Sequence, residues 1–166
     1  MTMIEQIFPI TEKLILNALQ LAHQLHQELN REAEALKKTQ QAELITTIAA
    51  GKKQLIIDLE QFSSQLTQVL ATEKLPNNQE SVKEYFRRAE TAGLPTAEAI
   101  NNWTQLMHVC AECRALNEQN GAGIDLLSRH TKRSLDILKG KPEIANTYGS
   151  DGRTRSDRYT RPLISV

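Results

Sequence analysis

Two cysteines are spaced in a way that could support metal or redox chemistry. Cys110 and Cys113 form a C-x-x-C pattern, which on a helix places both sulfur atoms on one face. A structural zinc site needs four ligands, and the sequence offers no second cysteine pair. A redox pair would need a thioredoxin-like strand–helix context, which the surrounding sequence lacks. We therefore predict that both cysteines are small side chains of a helical core.

Three histidines fall in patterns that also invite a chemical interpretation. His23 and His26 are three residues apart, but no carboxylate stands at a matching helical offset. We therefore expect solvated helix-face residues rather than a metal site. His130 is followed one turn later by Arg133 and Ser134, as in histidine phosphotransfer modules, although the glycine usual in those modules is missing. Such a module is a distant alternative, and a basic solvated face near a helix C-terminus is the expectation.

The remaining sequence signals exclude several classes of protein. The chain has no glycine-rich phosphate loop, nucleophile elbow or paired-carboxylate constellation, so we predict no enzyme, catalytic residue, metal, cofactor or small-molecule substrate. Its 20 basic and 20 acidic residues give zero formal net charge, which argues against nucleic-acid binding. No apolar stretch is long enough for a transmembrane helix. Residues 1–10 lack the basic region of a signal peptide, so a cytoplasmic location is expected.

Composition and apolar periodicity predict an all-α fold. Seven aromatic, seven glycine and five proline residues among 166 are few, which favours long helices over sheets. We expect an elongated antiparallel long-helix hairpin or bundle, coiled-coil-like, with a disordered C-terminal tail. The helical domain is predicted to span residues 1–140 and the flexible tail residues 141–166. The predicted helices cover about residues 4–38, 40–72, 80–92 and 97–139.

The heptad-like stripes assign side chains to the inside or the outside of these helices. Glu32 falls on an outer face of the first helix, and Lys52 is the only polar member of the second stripe. We expect the Lys52 stem to lie along the seam with its amine in water. Gly51 weakens the second helix, which could break or bend there. Ser81 and Glu84 form a capping-box pattern for the third helix.

Four residues interrupt the apolar stripe of the last helix. They are Asn117, Asn120, Gly121 and Gly123. One interpretation is a polar layer that fixes helix register, with small residues that permit close helix contact. The other interpretation is a simple kink.

Motifs in the last third of the chain resemble the FlgN family of cytoplasmic chaperones for flagellar type III export. The motifs are Asn117-Glu-Gln-Asn-Gly121, Leu135-Asp-Ile-Leu-Lys-Gly140 and Thr147-Tyr-Gly-Ser-Asp-Gly-Arg153. Trp103 and the ending Arg161-Pro-Leu-Ile-Ser165 are similar to the family too, so the specific resemblance covers about residues 103–165. The N-terminal helices agree only in being long, amphipathic and rich in Gln and Glu.

The resemblance implies a function. Members of the family bind hook-associated proteins of the hook–filament junction and keep their C-terminal helical segments from associating early. They deliver these clients to the cytoplasmic domain of the membrane export gate and contact a soluble component of the export ATPase complex. They are not enzymes and use no cofactor.

This function suggests which residues make the contacts. A helix with an apolar stripe can cover the apolar face of an amphipathic client helix. The resemblance implies that Tyr148 docks at the export gate. An alternative is a structural coiled coil that only self-associates through the stripe over residues 45–69, and free stripes could also close on a second copy to form a homodimer. The predicted client-binding residues are Ile124, Leu127, Leu135, Leu138, Leu163 and Ile164.

Overall fold

A computed structural model describes residues 1–38, 42–138 and 163–166 of the chain. These residues form four helices and no strand, which confirms the all-α prediction. Helix α2 continues through Gly51, and α4 continues through Gly121, so neither glycine breaks its helix. The predicted tail at 141–162 and the predicted end of the last helix at 139–140 lie outside the described residues. The helices are α1 Met3–Leu36, α2 Ala42–Thr72, α3 Gln79–Thr91 and α4 Ala97–Leu138.

The chain divides into two compact units. The first comprises Met1–Asn120 together with Pro162–Val166, and the second comprises Gly121–Arg161. The division therefore falls inside α4, and the boundary predicted near residue 140 lies outside the described residues. The four final residues, which were assigned to the tail, belong to the first unit.

Local sequence signals explain where the helices begin and end. Helix α3 begins after Asn78, whose side-chain oxygen accepts a hydrogen bond from the Ser81 amide at 2.8 Å. The cap is thus Asn78, and the predicted Ser81–Glu84 capping box is wrong. Gly93 follows the end of α3 with φ of +82°, a backbone conformation that glycine adopts without a steric penalty.

The first unit packs α1, α2 and α4 side by side. Cys113 of α4 contacts the Ala22 carbonyl, while Asn120 contacts the Leu29 carbonyl, so α4 runs parallel to α1. Helix α2 runs antiparallel to α1, as the sequence predicted for consecutive helices. Its residues Leu59, Phe62, Leu66 and Val69, from the stripe over residues 45–69, are buried within the single chain. That stripe therefore needs no second copy to cover it.

Helix α3 is fixed to α1 by an aromatic and polar contact. The hydroxyls of Tyr85 and Thr11 lie 3.0 Å apart, and both side chains are buried. The Tyr85 ring also stacks on Phe8, with ring centroids 6.4 Å apart. No helix in the described ranges is both long enough and apolar enough to cross a lipid bilayer.

Gly51 within α2 and Gly93 after the end of α3 are both exposed, and they should respond oppositely to the same substitution. A Cβ at either position would meet no atom within 4 Å, so only backbone conformation decides the outcome. Gly51→Ala should raise the free energy of unfolding by about 1 kcal/mol through helix propensity. Gly93→Ala should lower it by about 1–2 kcal/mol because of its positive φ. Urea unfolding measures both changes, and destabilisation by Gly51→Ala would show that its helix is not continuous.

Candidate functional site

A buried carboxylate joins the three long helices of the first unit. Glu32 of α1 is 0% exposed, and its Oε1 accepts hydrogen bonds from Lys52 Nζ of α2 at 2.8 Å and from Asn120 Nδ2 of α4 at 3.0 Å. Asn120 Nδ2 also donates to the Leu29 carbonyl at 2.9 Å. Lys52 Nζ donates to Asn117 Oδ1 at 3.3 Å. We call the side chains of Glu32, Lys52, Asn117 and Asn120 the polar layer.

The polar layer constrains how the helices can slide past each other. A buried charge is costly unless it is paired, so a shift of α2 or α4 by one turn would leave the Glu32 carboxylate in an apolar surrounding. Glu32 Oε2 has no hydrogen-bond partner among the described residues, so the carboxylate depends on the two donors at Oε1. A buried asparagine specifies helix register in coiled coils, and we predict the same role for this polar layer.

The sequence-based assignment of two of these residues was wrong. Glu32 was placed on an outer face, and the Lys52 amine was expected in water. Glu32 stands three residues after Leu29, which puts it on the buried side of α1, and the Lys52 side chain is only 13% exposed because it reaches this carboxylate. One sequence signal could have indicated this contact. The apolar stripe of each long helix contains a polar residue, and a carboxylate, an ammonium group and an amide can bind one another.

The two cysteines are core residues, as predicted. Both are free and buried, and Cys113 Sγ donates weakly to the Ala22 carbonyl at 3.6 Å. Burial raises the pKa of Cys110 to about 12 and that of Cys113 to about 11. Because the thiolate is the reactive form, these thiols are poor nucleophiles and poor metal ligands at neutral pH.

Two histidine side chains, those of His26 and His108, contact a carboxylate that the sequence pattern did not reveal. His26 Nε2 lies 3.3 Å from Glu112 Oε2, while His108 Nε2 lies 3.1 Å from Glu112 Oε1. This carboxylate belongs to α4, so the spacing of residues along α1 could not indicate it. Within the described part of the chain, no group of three His, Cys, Asp or Glu residues could hold a metal ion. The side chain of His130 lies outside the described residues.

The predicted client-binding residues of α4 share one helical face. At 3.6 residues per turn, Ile124, Leu127, Leu135 and Leu138 fall within an arc of about 80°. Ile124 is 36% exposed. The other three stand on the described backbone of α4, but their side chains lie outside the described residues. We call the face that carries these four residues the distal α4 face.

The other predicted contact residues are placed differently. Leu163 and Ile164 were expected in a free tail, but each is only 7% exposed and packs with the core of the first unit. The Leu163 carbonyl accepts a hydrogen bond from Gln79 Nε2 at 3.1 Å. The expectation of a free end is therefore wrong for these two residues. Tyr148 lies outside the described residues.

Two open grooves run along the first unit. One lies between α1 and α2, and its lining includes Leu14, Leu21, Gln61 and Phe62. The other lies between α1 and α4, where burial and the nearby Glu98 carboxylate raise the pKa of Glu12. Neither groove brings together a nucleophile with a base.

Removing one member of the buried ion pair should cost far more than removing both. Lys52→Met leaves the Glu32 carboxylate without its cation and should lower the free energy of unfolding by about 3 kcal/mol. Adding Glu32→Met to Lys52→Met replaces the pair by packed apolar groups and should recover most of that loss. Urea unfolding of the wild-type chain, both single variants and the double variant measures the coupling. Additive losses would contradict a register role for the pair.

Comparison with known families identifies the chain. The model of the FlgN protein family matches residues 10–156, a range that begins within α1 and extends beyond the end of α4. Comparison with curated proteins gave no match, and neither did comparison with solved structures. FlgN proteins are chaperones rather than enzymes. Because the match spans most of the sequence, the chain belongs to the FlgN family, the flagellar export chaperones for hook-associated proteins.

Proposed function

We propose that this chain holds the C-terminal helical segments of hook-associated proteins on the distal α4 face and delivers these clients to the export gate. Membership of the FlgN family supports a role as flagellar export chaperone. The observation that carries the finer proposal is the exposure of Ile124, an aliphatic residue on the same face of α4 that is buried in the first unit.

Side chains on one face of α4 change from buried to exposed over a short distance. Leu106 and Cys113 are fully buried under the neighbouring helices, and Asn120 in the polar layer is nearly so. One turn later, Ile124 is 36% exposed on the same side of the helix. The apolar stripe thus continues past the polar layer in residues 121–138, where its spacing suits an apolar partner rather than water.

An amphipathic helix is the ligand that such a face accommodates. A client helix can lay its apolar side on residues at i, i+3 and i+7 spacing, in the way that helices dock in grooves. Each Å² of apolar surface removed from water contributes about 25 cal/mol, so partial cover gives a complex that can still dissociate. Arg129 and Lys132 are exposed on this stretch of α4, and they favour a client segment that carries carboxylates beside its apolar face.

Replacing an isoleucine on the distal α4 face should impair client binding selectively. Ile124→Asp places a charge in the proposed interface and should weaken binding of a C-terminal segment of a hook-associated protein by about tenfold. Ile10→Asp is the matched control, because Ile10 is 57% exposed on α1 and away from that face. Isothermal titration calorimetry measures the affinity of each variant for the client segment. Loss of binding on Ile10→Asp with unchanged binding on Ile124→Asp would contradict the proposal and favour helix α1 as the client site.

We further propose that Tyr148 anchors the chaperone at the cytoplasmic domain of the export gate, and that a soluble component of the export ATPase complex is a second partner. The support is the Tyr-Gly-Ser-Asp-Gly motif that resembles the family, together with the suitability of a phenol as an anchor in a shallow pocket.

Substitution of this tyrosine should separate the two binding functions. Tyr148→Ala should weaken binding to the gate domain and leave client binding unchanged. Tyr159→Ala removes a nearby tyrosine outside the motif and serves as the control. Pull-down with the purified gate domain and titration with the client segment give the two readouts. Equal loss of gate and client binding on Tyr148→Ala would refute this division of labour.

A further inference from the structure

The last residues of the chain fill an apolar site on the first unit. Leu163 and Ile164 are each 7% exposed, and Val166 is partly buried against the same core. Residues 163–166 contain no helix. Two adjacent residues of an irregular segment therefore reach core-like burial without a secondary structure of their own.

The hydrogen bonds locate this site at the start of α3. Gln79 is the first residue of α3, and its Nε2 donates to the Leu163 carbonyl at 3.1 Å. The same Nε2 lies 3.4 Å from Met107 Sδ of α4. The segment thus sits where the beginning of α3 approaches α4, and we call this site the α3–α4 groove. Ile100 and Met107 of α4 are partly buried apolar residues against the same core.

The chemistry of the contact is that of peptide recognition. Gln79 binds a backbone carbonyl, which every residue offers, while two adjacent branched aliphatic side chains fill the apolar part of the site. Two side chains and a single side-chain-to-backbone hydrogen bond must offset the ordering of four residues. Covalent attachment helps, because it supplies the segment at high effective concentration.

We infer that the α3–α4 groove is a peptide-binding site whose resting occupant is the chain's own segment Leu163–Val166. A partner protein that presents an extended segment with two adjacent branched aliphatic residues displaces this occupant. The groove is formed by α3 and the first part of α4, so the inference does not depend on the distal α4 face or on the proposed clients.

A peptide that copies the C-terminus tests this inference directly. The probe is a fluorescein-labelled peptide of residues 160–166, Thr-Arg-Pro-Leu-Ile-Ser-Val, and the readout is fluorescence anisotropy. The chain that ends at residue 162 should bind the peptide, and the full chain should bind it about tenfold more weakly because its own segment competes. A peptide with Asp at the positions of Leu163 and Ile164 should not bind. Gln79→Ala in the shortened chain should weaken binding, whereas Gln105→Ala, at an exposed glutamine of α4, should not.

A second readout keeps the test independent of truncation. Trp103 is the single tryptophan and stands one turn before Met107 on α4. In the otherwise intact chain, Leu163→Asp with Ile164→Asp should shift the Trp103 emission to the red, and excess peptide should reverse the shift. Circular dichroism checks that the shortened chain and the double variant remain helical.

Four outcomes would overturn the inference. The first is equal peptide binding by the full and shortened chains, and the second is no peptide binding by a shortened chain that remains helical. The third is loss of the folded state in both altered chains, which would show that the segment is a fixed part of the core. The fourth is a full chain that sediments as a dimer while the shortened chain is a monomer, which would place the segment on a second copy.

Discussion

Glu32 is a fully buried carboxylate on α1 that is held by an ammonium group from α2 and an amide from α4. Apolar contacts alone would tolerate several alignments of three long helices, because one turn of an apolar stripe resembles the next. The carboxylate tolerates only the alignment that brings Lys52 and Asn120 to the same atom. We therefore predict that this ion pair and its amide partners set the helix register of the first unit.

The burial of α4 changes along a single helix face. On one side of the polar layer, α4 packs Leu106 and Cys113 into a closed core. On the other side, the same face continues with Ile124 exposed. We propose that the exposed part of this face receives the client. The α3–α4 groove is a second apolar site, and the chain's own segment Leu163–Val166 occupies it.

The helices could be predicted from sequence because their signals are local. Apolar periodicity and the helix-terminating glycine Gly93 predicted helix bounds close to those observed. The motifs after Trp103 were specific enough to indicate the family. Glu32 and Leu163 could not be placed in this way. Their burial depends on Asn120 and Gln79, partners from distant parts of the chain, and neither periodicity along α1 nor the composition of the last residues contains that information.

Hydrogen–deuterium exchange with and without a client segment tests the central claim most directly, because it reports cover along every helix of the wild-type chain at once. We expect the segment to slow amide exchange in residues 121–138 of α4, with exchange in α1 and α2 unchanged. Protection confined to the groove between α1 and α2, with unchanged exchange in residues 121–138, would contradict a client face that begins at the polar layer.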